Sequence, residues 1–582
     1  MTTIQQATSI NKVKTHTNKT DWVALAWQYL FFWYFSGVIH LIILATGTAG
    51  FIGMRSAILM STLWLIPTII FPNKSRAIAG VIGLILLPFS LMSLGYLYIY
   101  HQEFSQSVLF IIFESNAAES SEYLSNYFSW ALLAGLIVYS AVAFYLWKRI
   151  KPVYLTSPLK VILIVLIVSV LFASPFLKNM LLKHRSFTDS AEKLATAMEP
   201  AAPWQAVIGF ISYRNQLNNM QELLAQNAKI APLKNLKDDL AGQASTLILV
   251  IGESTNRQRM SLYGYARKTT PKLDAMKNEL LAYTDVVSPR PYTIEVLQQV
   301  LTFGDEEHPD LYLTQPSLIN MMKQAGYKTY WITNQQTLTK RNTMLTTFSK
   351  QTDEQYYLNN NRSQDARQYD NAVLAPFKQV LSQPAPRKFI IVHLLGTHMN
   401  YKYRYPENFA KFSGREGVPP WVQDGDELDF YNSYDNAVLY NDEVISDLIK
   451  TLSSTQPNGL LLYLSDHGEE VYDTKGLDFR GRNETKPTQA MYTIPFMIWQ
   501  SPLWKKQHRI DLTNTVNRPY SSSNLIHTWA DLIGLHFDEF DARKSIVNND
   551  FKEYVRLIGD PYSAKPLIDF NQLVPKLETV KH

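Results

Sequence analysis

The chain has 582 residues, no cysteine and a formal net charge of +5 at pH 7. Without cysteine it can form neither a disulfide scaffold nor a thiolate metal site, and it has no cysteine nucleophile. Residues 1–180 carry 11 Lys and Arg against 5 Asp and Glu, whereas the remainder carries 44 and 45. The positive excess therefore lies beside apolar segments, which argues against nucleic-acid binding and predicts a membrane part followed by a globular part.

Five apolar stretches each approach the roughly 20 residues that a helix needs to cross a bilayer. They cover about 22–46, 56–71, 77–100, 129–147 and 159–177. Basic residues precede the first stretch and fill the second and fourth loops, while the alternate loops hold almost none. By the positive-inside rule the amino terminus is cytoplasmic and everything beyond about residue 178 lies outside. We predict a cytoplasmic tail at 1–21 and an uncleaved five-helix domain at 22–177.

Two segments adjoin these spans. Residues 101–128 combine a short apolar core with four glutamates. They fit either an amphipathic helix in the membrane interface or a solvated loop with a hydrophobic anchor. Residues 178–243 mix basic residues, a proline-bracketed turn and a helical stretch. We expect linker helices there, followed by a globular domain at 244–582.

The globular part alternates strand-length apolar runs with polar helical segments. The runs are TLILVIG (246–252), YKTYWIT (327–333), FIIVHLLG (389–396), GLLLYLS (459–465) and IPFMIW (494–499). Runs that are apolar on both faces and separated by helices are typical of a mostly parallel sheet in an α/β domain. In such sheets functional groups collect beyond the carboxyl ends of the strands.

Carboxylate or imidazole side chains follow three of these runs directly. Glu253 follows the first run, His398 the third, and Asp466 and His467 the fourth. Hard or borderline divalent cations favour this mixture of ligands. The three strand ends therefore predict a metal site with oxygen and nitrogen ligands.

A metal site of this kind needs a nucleophile or an activated water, and three hydroxyl groups are candidates. Ser254 and Thr255 adjoin Glu253, and Thr293 lies in the segment SPRPYTIEVLQQ. Thr293 opens a predicted helix, where backbone N–H groups favour an anion such as phosphate. An ordinary N-cap threonine fits the same pattern, so the residues alone leave the nucleophile open.

Several segments resemble the phosphoethanolamine transferases of the Gram-negative inner membrane. They are LVIGESTNRQRMSLYGYARKTTP, SPRPYTIEVLQQVLTF, HLLGTH, YLSDHGEEVYD, YHQEFSQSVLFIIFE and MEPAAPWQ. That family joins five membrane helices to a periplasmic domain of the alkaline phosphatase/sulfatase fold, and the resemblance covers nearly the whole chain. QPSLINMMKQAGYKTYWITNQQT and GRNETKPTQAMYTIPF most resemble the branch that modifies the lipopolysaccharide inner core at heptose I.

The resemblance implies a role for each matching position. Glu253, Thr293, Asp466 and His467 would bind one Zn²⁺ ion, and Thr293 would form a covalent phosphoethanolamine intermediate. His398 would act as acid or base, or as a ligand of a second zinc ion. Relatives often carry a further histidine soon after the Asp-His pair, and this chain has none there, which puts a complete second zinc site in doubt.

The resemblance also implies the partners. The donor would be phosphatidylethanolamine, the acceptor lipopolysaccharide core, and the protein a monomer in the bacterial inner membrane with its catalytic domain in the periplasm. Five further residues are candidate substrate contacts: Asn334, Gln335, Glu469, Arg482 and Asn483.

Several alternative functions remain. The acceptor could instead be a lipid A phosphate or another periplasmic glycan. A membrane-anchored phosphatase or sulfatase would use water, but a sulfatase would carry Cys or Ser in a C/S-x-P/A-x-R context, which PYTIEV does not provide. A glycerol-phosphate transferase resembling the lipoteichoic acid synthases would share five spans and a threonine nucleophile. A non-enzymatic anchor would not explain why Glu253, Thr293, Asp466 and His467 occur together.

Overall fold

A computed structural model describes most of the chain. The described residues are 21–46, 52–100, 129–178, 230–335, 343–359 and 369–573, with gaps at 478, 485, 509–511 and 564, and a few positions between 180 and 214. They form two compact units, divided between Ile208 and Gly209. The predicted tail, the 101–128 loop and most of the 178–243 linker lie outside the described residues.

The first unit contains five helical spans that are long and apolar enough to cross a membrane. The spans are Trp22–Ala45, Gly53–Ile70, Pro72–Ile99, Trp130–Arg149 and Ser157–Leu177. Their helices are α1 (Trp22–Ala45), α2 (Ile52–Ser61), α3 (Leu65–Ile70), α4 (Ser75–Tyr100), α5 (Trp130–Arg149) and α6 (Ser157–Val168), and α6 continues through a π-helical turn to Leu177. The five predicted spans are confirmed by length and composition.

The second span begins three residues earlier than expected and contains Pro67. A 3₁₀ turn at Thr62–Trp64 joins α2 to α3, so Pro67 falls in the first turn of α3, where its missing N–H costs no helical hydrogen bond.

Polar side chains of the first unit form hydrogen bonds within that unit. Tyr34 and Tyr139 stack at 4.5 Å, and each hydroxyl donates to the other residue's carbonyl, as groups away from water must.

The second unit is an α/β domain around a seven-stranded sheet. The strands are β1 (Ser245–Gly252), β2 (Leu280–Tyr283), β3 (Lys328–Thr333), β4 (Glu354–Tyr357), β5 (Arg387–His393), β6 (Gly459–Ser465) and β7 (Phe496–Gln500), in the order β2-β7-β6-β1-β5-β3-β4. The helices are α7 (Pro271–Ala275), α8 (Thr293–Val300), α9 (Leu318–Gln324), α10 (Thr343–Gln351), α11 (Leu374–Ser382), α12 (Asp426–Thr455), α13 (Gln489–Tyr492), α14 (Pro502–His508) and α15 (Leu525–Leu532).

The central strand β1 explains why the apolar runs are continuous. It pairs in parallel with β5 and β6, and Ile248 lies opposite Ile390 and Leu461. Ile248 contributes to one hydrophobic core and Leu249 to another. Because the sheet is buried on both faces, alternation with polar residues is absent and the predicted α/β domain is confirmed.

Two details of the sheet differ from the sequence prediction. The IPFMIW run becomes β7, which is antiparallel to both β2 and β6, so the sheet is mixed although most of its strands are parallel. The sequence pattern also missed β2 and β4. These strands have only four residues each and are partly exposed, so they lack the long apolar run by which the others were identified.

The strand order brings the predicted functional segments together. β6, β1, β5 and β3 are consecutive neighbours and run in the same direction. Their carboxyl ends therefore meet at one edge of the sheet, where the segments after Gly252, Thr333, His393 and Ser465 begin.

Candidate metal and nucleophile site

Three potential metal ligands converge at this edge. A ligand atom from each of Glu253, Asp466 and His467 lies within 4.8 Å of the other two. Glu253 directly follows β1, and Asp466 and His467 directly follow β6. All three residues are at most 1% exposed. Their charged forms are therefore not solvated by water, and the protonation state of each depends on the other two.

Backbone geometry orients Asp466. Ser254 adopts a left-handed conformation with φ 58°, and its N–H donates to Asp466 Oδ1 at 2.9 Å. The His467 N–H donates to the same oxygen at 2.7 Å. Among the described residues no group donates a hydrogen bond to the buried Asp466 Oδ2, which is costly for a carboxylate oxygen unless a cation binds it.

His467 is held in the tautomer that a metal ligand requires. Its Nδ1 lies 2.8 Å from the Gly468 carbonyl oxygen, so Nδ1 carries the proton and Nε2 carries the lone pair. Nε2 lies 3.3 Å from both Glu253 Oε1 and Asp466 Oδ2. The imidazole therefore presents a donor atom to the same point as the two carboxylates.

Thr293 completes the cluster from the start of α8. The N-cap position belongs to Tyr292, so Thr293 is not the N-cap that the sequence pattern also allowed. Its hydroxyl instead donates to Glu253 Oε2 at 2.9 Å and lies 3.4 Å from His467 Nε2. The hydroxyl group thus meets two potential metal ligands at the positive end of a helix.

The two carboxyl groups have opposite pKa shifts. Burial alone would raise the pKa of Glu253, but the hydrogen bond and charge of His467, with His398 and Arg482, hold it well below its ordinary value. Burial and the charge of Glu253 raise the pKa of Asp466 well above its ordinary value. Two neighbouring carboxylates ionise together only when a cation balances them.

These observations fit a zinc-class cation. The cluster offers carboxylate oxygens, an imidazole nitrogen and a hydroxyl oxygen, a donor set that suits zinc in a protein without cysteine. Among the described residues Asp466 Oδ2 accepts no hydrogen bond, and it is the atom that most needs such an ion. Glu253, Thr293, Asp466 and His467 are therefore the residues that would hold it.

Two of the five candidate substrate contacts lie against the cluster, and a third, Glu469, pairs with one of them. Gln335 Nε2 donates to Glu253 Oε2 at 3.1 Å. Arg482 Nη1 lies 2.6 Å from His467 Nε2, and its Nε lies 3.3 Å from Glu469 Oε2. The Arg482 guanidinium therefore supplies positive charge beside His467 and Glu253, and Glu469 pairs with it there.

The remaining predicted residues are not members of the three-residue cluster. His398 is not part of it, its Nδ1 is buried without a partner, and burial lowers its pKa to about 4. Asn334 donates to Asp370 at 2.8 Å, and Asn483 accepts from the Lys486 N–H at 3.3 Å. The roles of His398, Asn334 and Asn483 stay predictions.

Sequence reasoning missed residues that support the site from distant elements. Tyr434, on α12, donates to the Ser254 carbonyl at 2.7 Å and accepts from the Asn256 N–H at 2.8 Å. Tyr401 donates to Glu469 Oε1 at 3.1 Å. Neither tyrosine carries a local motif, because its partner lies many residues away in the chain.

Comparison with known proteins agrees with this geometry. The Sulfatase family model matches residues 245–535. Phosphoethanolamine transferase EptC of Escherichia coli strain RS218 is 54% identical over 557 residues, which are 95% of this chain and 96% of that protein. Both matches include every residue of the cluster.

Two solved structures are similar as well. The periplasmic domain of E. coli EptC, crystallised in complex with Zn, is 58% identical, with a TM-score of 0.59, and covers 60% of this chain and 99% of that one. The integral membrane protein EptA of Neisseria meningitidis covers 90% of this chain and 97% of that one, with a TM-score of 0.62. At 19% identity, this second match shows the fold alone.

The expected alkaline phosphatase/sulfatase-type domain joined to five apolar helices is therefore confirmed. High identity along nearly the full length of both chains extends the relationship beyond the shared domain. The chain belongs to the phosphoethanolamine transferase family.

Proposed function

We propose that this protein transfers phosphoethanolamine from phosphatidylethanolamine to the lipopolysaccharide inner core, at heptose I, and releases diacylglycerol. The reaction proceeds in two steps through a covalent phosphoethanolamine group on Thr293. The observation that carries the proposal is the position of the Thr293 hydroxyl, 2.9 Å from Glu253 Oε2 and at the start of α8. The 54% identity with EptC supports the transferred group.

One zinc ion, held by Glu253, Thr293, Asp466 and His467, would supply Lewis-acid stabilisation of negative charge at this cluster. The residues themselves organise the nucleophile. Glu253 accepts the Thr293 hydroxyl proton in a hydrogen bond, which turns the oxygen lone pairs away from the carboxylate and toward an incoming phosphorus. The first N–H groups of α8 lack helical partners and favour the phosphoryl oxygens.

In the first step Thr293 Oγ1 bonds to phosphorus while the bond from phosphorus to the diacylglycerol oxygen breaks. The threonine proton leaves, and the diacylglycerol oxygen takes up a proton. In the second step the acceptor hydroxyl oxygen bonds to phosphorus and loses its proton, while the bond from phosphorus to Thr293 Oγ1 breaks and Oγ1 takes up a proton, which restores the hydroxyl group. Two such displacements give ping-pong kinetics.

His398 and Arg482 have complementary roles in this proposal. Because burial lowers the pKa of His398 to about 4, its imidazole is neutral near pH 7 and can accept the proton of the acceptor hydroxyl. Arg482, fixed by Glu469, pairs with the phosphoryl oxygens. Gln335 keeps Glu253 oriented through its hydrogen bond.

The membrane spans fit the donor. A two-chain lipid remains in the bilayer, so an enzyme that uses it benefits from a membrane anchor on the same chain, and five candidate spans provide one. The charge pattern of the loops supports a multi-pass inner-membrane protein with a periplasmic catalytic domain. We expect this protein to act as a monomer.

Mass spectrometry of lipopolysaccharide tests the proposal directly. Cells that express the protein should gain one phosphoethanolamine unit on the inner core relative to cells without it, and tandem fragmentation should assign the unit to heptose I. A unit found on lipid A phosphates alone would refute the acceptor. Unmodified lipopolysaccharide in cells with normal expression would refute the transferase function.

A further inference from the structure

A buried carboxylate outside the cluster connects two of the loops that surround it. Asp370 follows β4 in the chain and is 5% exposed. Its Oδ1 accepts from the Leu395 N–H at 2.9 Å and from Asn334 Nδ2 at 2.8 Å, and its Oδ2 accepts from the Gly396 N–H at 2.7 Å. One side chain thus binds the loop after β5 and the loop after β3.

Both of these loops hold Glu253. From the loop after β3, Gln335 donates to Glu253 Oε2 at 3.1 Å and to the Leu394 carbonyl at 3.0 Å. From the loop after β5, the Thr397 N–H and hydroxyl both donate to the Glu253 carbonyl at 3.0 Å. Glu253 is therefore fixed at its backbone by one loop and at its carboxylate by the other.

The loop after β5 also lies close against the backbone of Glu253. Gly396 has φ +54°, and a Cβ at that position would lie 2.7 Å from the Glu253 carbonyl oxygen. A small movement of the β5 loop would therefore displace Glu253 itself. Asp370 restrains this loop at two consecutive N–H groups, directly beside that approach.

We propose that Asp370 is a positioning residue of the metal site, which sets the place of Glu253 through the loops after β3 and β5. The proposal rests on the proposed function only for the identity of the bound metal. Residues that orient metal ligands from behind contribute to metal affinity without touching the ion, and their loss commonly weakens binding about 10- to 100-fold.

Asp442 provides a matched control. It is also a buried carboxylate, on α12, and each of its oxygens accepts one backbone N–H at 2.9 Å, from Lys272 and Leu273. In either Asp→Asn variant an amide NH₂ replaces one of the accepting oxygens. Each variant thus loses at least one hydrogen bond from a backbone N–H, but of the two residues only Asp370 is connected to Glu253.

The experiment compares Asp370→Asn with Asp442→Asn in the purified full-length protein, by zinc titration against a competing chelator and by hydrogen exchange. For Asp370→Asn we expect zinc affinity about 10- to 100-fold weaker. We also expect roughly tenfold faster exchange in peptides covering 389–398 and 250–256, because a charge-assisted acceptor is lost. For Asp442→Asn, zinc affinity and exchange in these peptides should stay within twofold of wild type.

Equal effects of the two variants on zinc affinity and on these peptides would overturn the proposal. If Asp370→Asn does not fold, Asn334→Ala, which removes one of the three hydrogen bonds, should give smaller changes in the same direction, and no change would overturn the proposal. If wild type binds no zinc, the metal assignment fails, while hydrogen exchange still decides whether Asp370 positions Glu253.

Discussion

At the scale of single residues, substitution of Thr293 tests the proposed chemistry most directly. Thr293→Ala removes the attacking oxygen and should lower transfer by at least about a thousandfold, since loss of a nucleophile removes the covalent route. Thr293→Ser keeps a hydroxyl group and should retain measurable transfer. Intact-protein mass spectrometry after incubation with phosphatidylethanolamine should detect a phosphoethanolamine adduct on wild type and none on Thr293→Ala. An adduct of normal yield on the alanine variant would exclude Thr293 as the nucleophile.

His527 gives a pH-dependent prediction away from the metal site. Its Nδ1 accepts from the Asp541 N–H at 3.2 Å, and burial lowers its pKa to about 4. Because the unfolded chain binds a proton near pH 6.5 and the folded one near 4, the contribution of His527 to stability is lost as pH falls between these values.

His527→Asn keeps an acceptor but cannot be protonated. The stability of wild type relative to this variant should therefore fall by about 1.4 kcal/mol per pH unit between pH 6.5 and 4. Thermal unfolding midpoints of both proteins, measured at matched pH values, check this. A constant difference between the two midpoints would show that the folded His527 is protonated as readily as the unfolded one.

At the scale of elements, the close approach of the loops after β1 and β5 depends on Gly396. Gly396→Ala would combine a left-handed backbone with a clash against the Glu253 backbone, whereas Gly242, at φ +78°, has no atom within 4 Å of an added Cβ. Gly242→Ala isolates the backbone strain, about 1–2 kcal/mol. Gly396→Ala should cost more in unfolding free energy and should also weaken zinc binding. Equal losses of stability with unchanged zinc affinity would show that the loop yields without moving Glu253.

The strands also show how much of the secondary structure the sequence pattern can predict. The GLLLYLS run coincides with β6, and the TLILVIG run differs from β1 by one residue, because a strand buried on both faces needs a continuous apolar run. β4, with the sequence EQYY and partly exposed positions, has no such run. Its position depends on pairing with β3, which is a tertiary contact.

At the scale of the whole molecule, bound metal should stabilise the fold. A ligand that binds only the folded state, at 100 times its dissociation constant, adds about 2.7 kcal/mol to the unfolding free energy. Chelation should therefore lower the unfolding midpoint, and zinc should restore it. Asp466→Asn should remove most of this response, because it takes away one of the three clustered ligand residues and its negative charge. A midpoint unaffected by chelator, in protein shown to have lost its metal, would contradict a structural contribution from the ion.

The sequence by itself determined the features that depend on residues adjacent in the chain. Apolar length and loop charge predicted the five spans, and the residues after the strand-length runs predicted that Glu253, Asp466 and His467 would meet. These inferences succeed because membrane thickness and sheet burial act on local composition.

Tertiary structure decided what joins these residues. The hydrogen bond from Thr293 to Glu253 spans 40 residues, and the contact of Arg482 with Glu253 spans 229. Tertiary packing of the helices and loops around the sheet brings such partners together, and nothing in local periodicity encodes it. The same holds for Asp370, which has no recognisable motif and binds the two loops only because β3 and β5 are neighbours in the sheet.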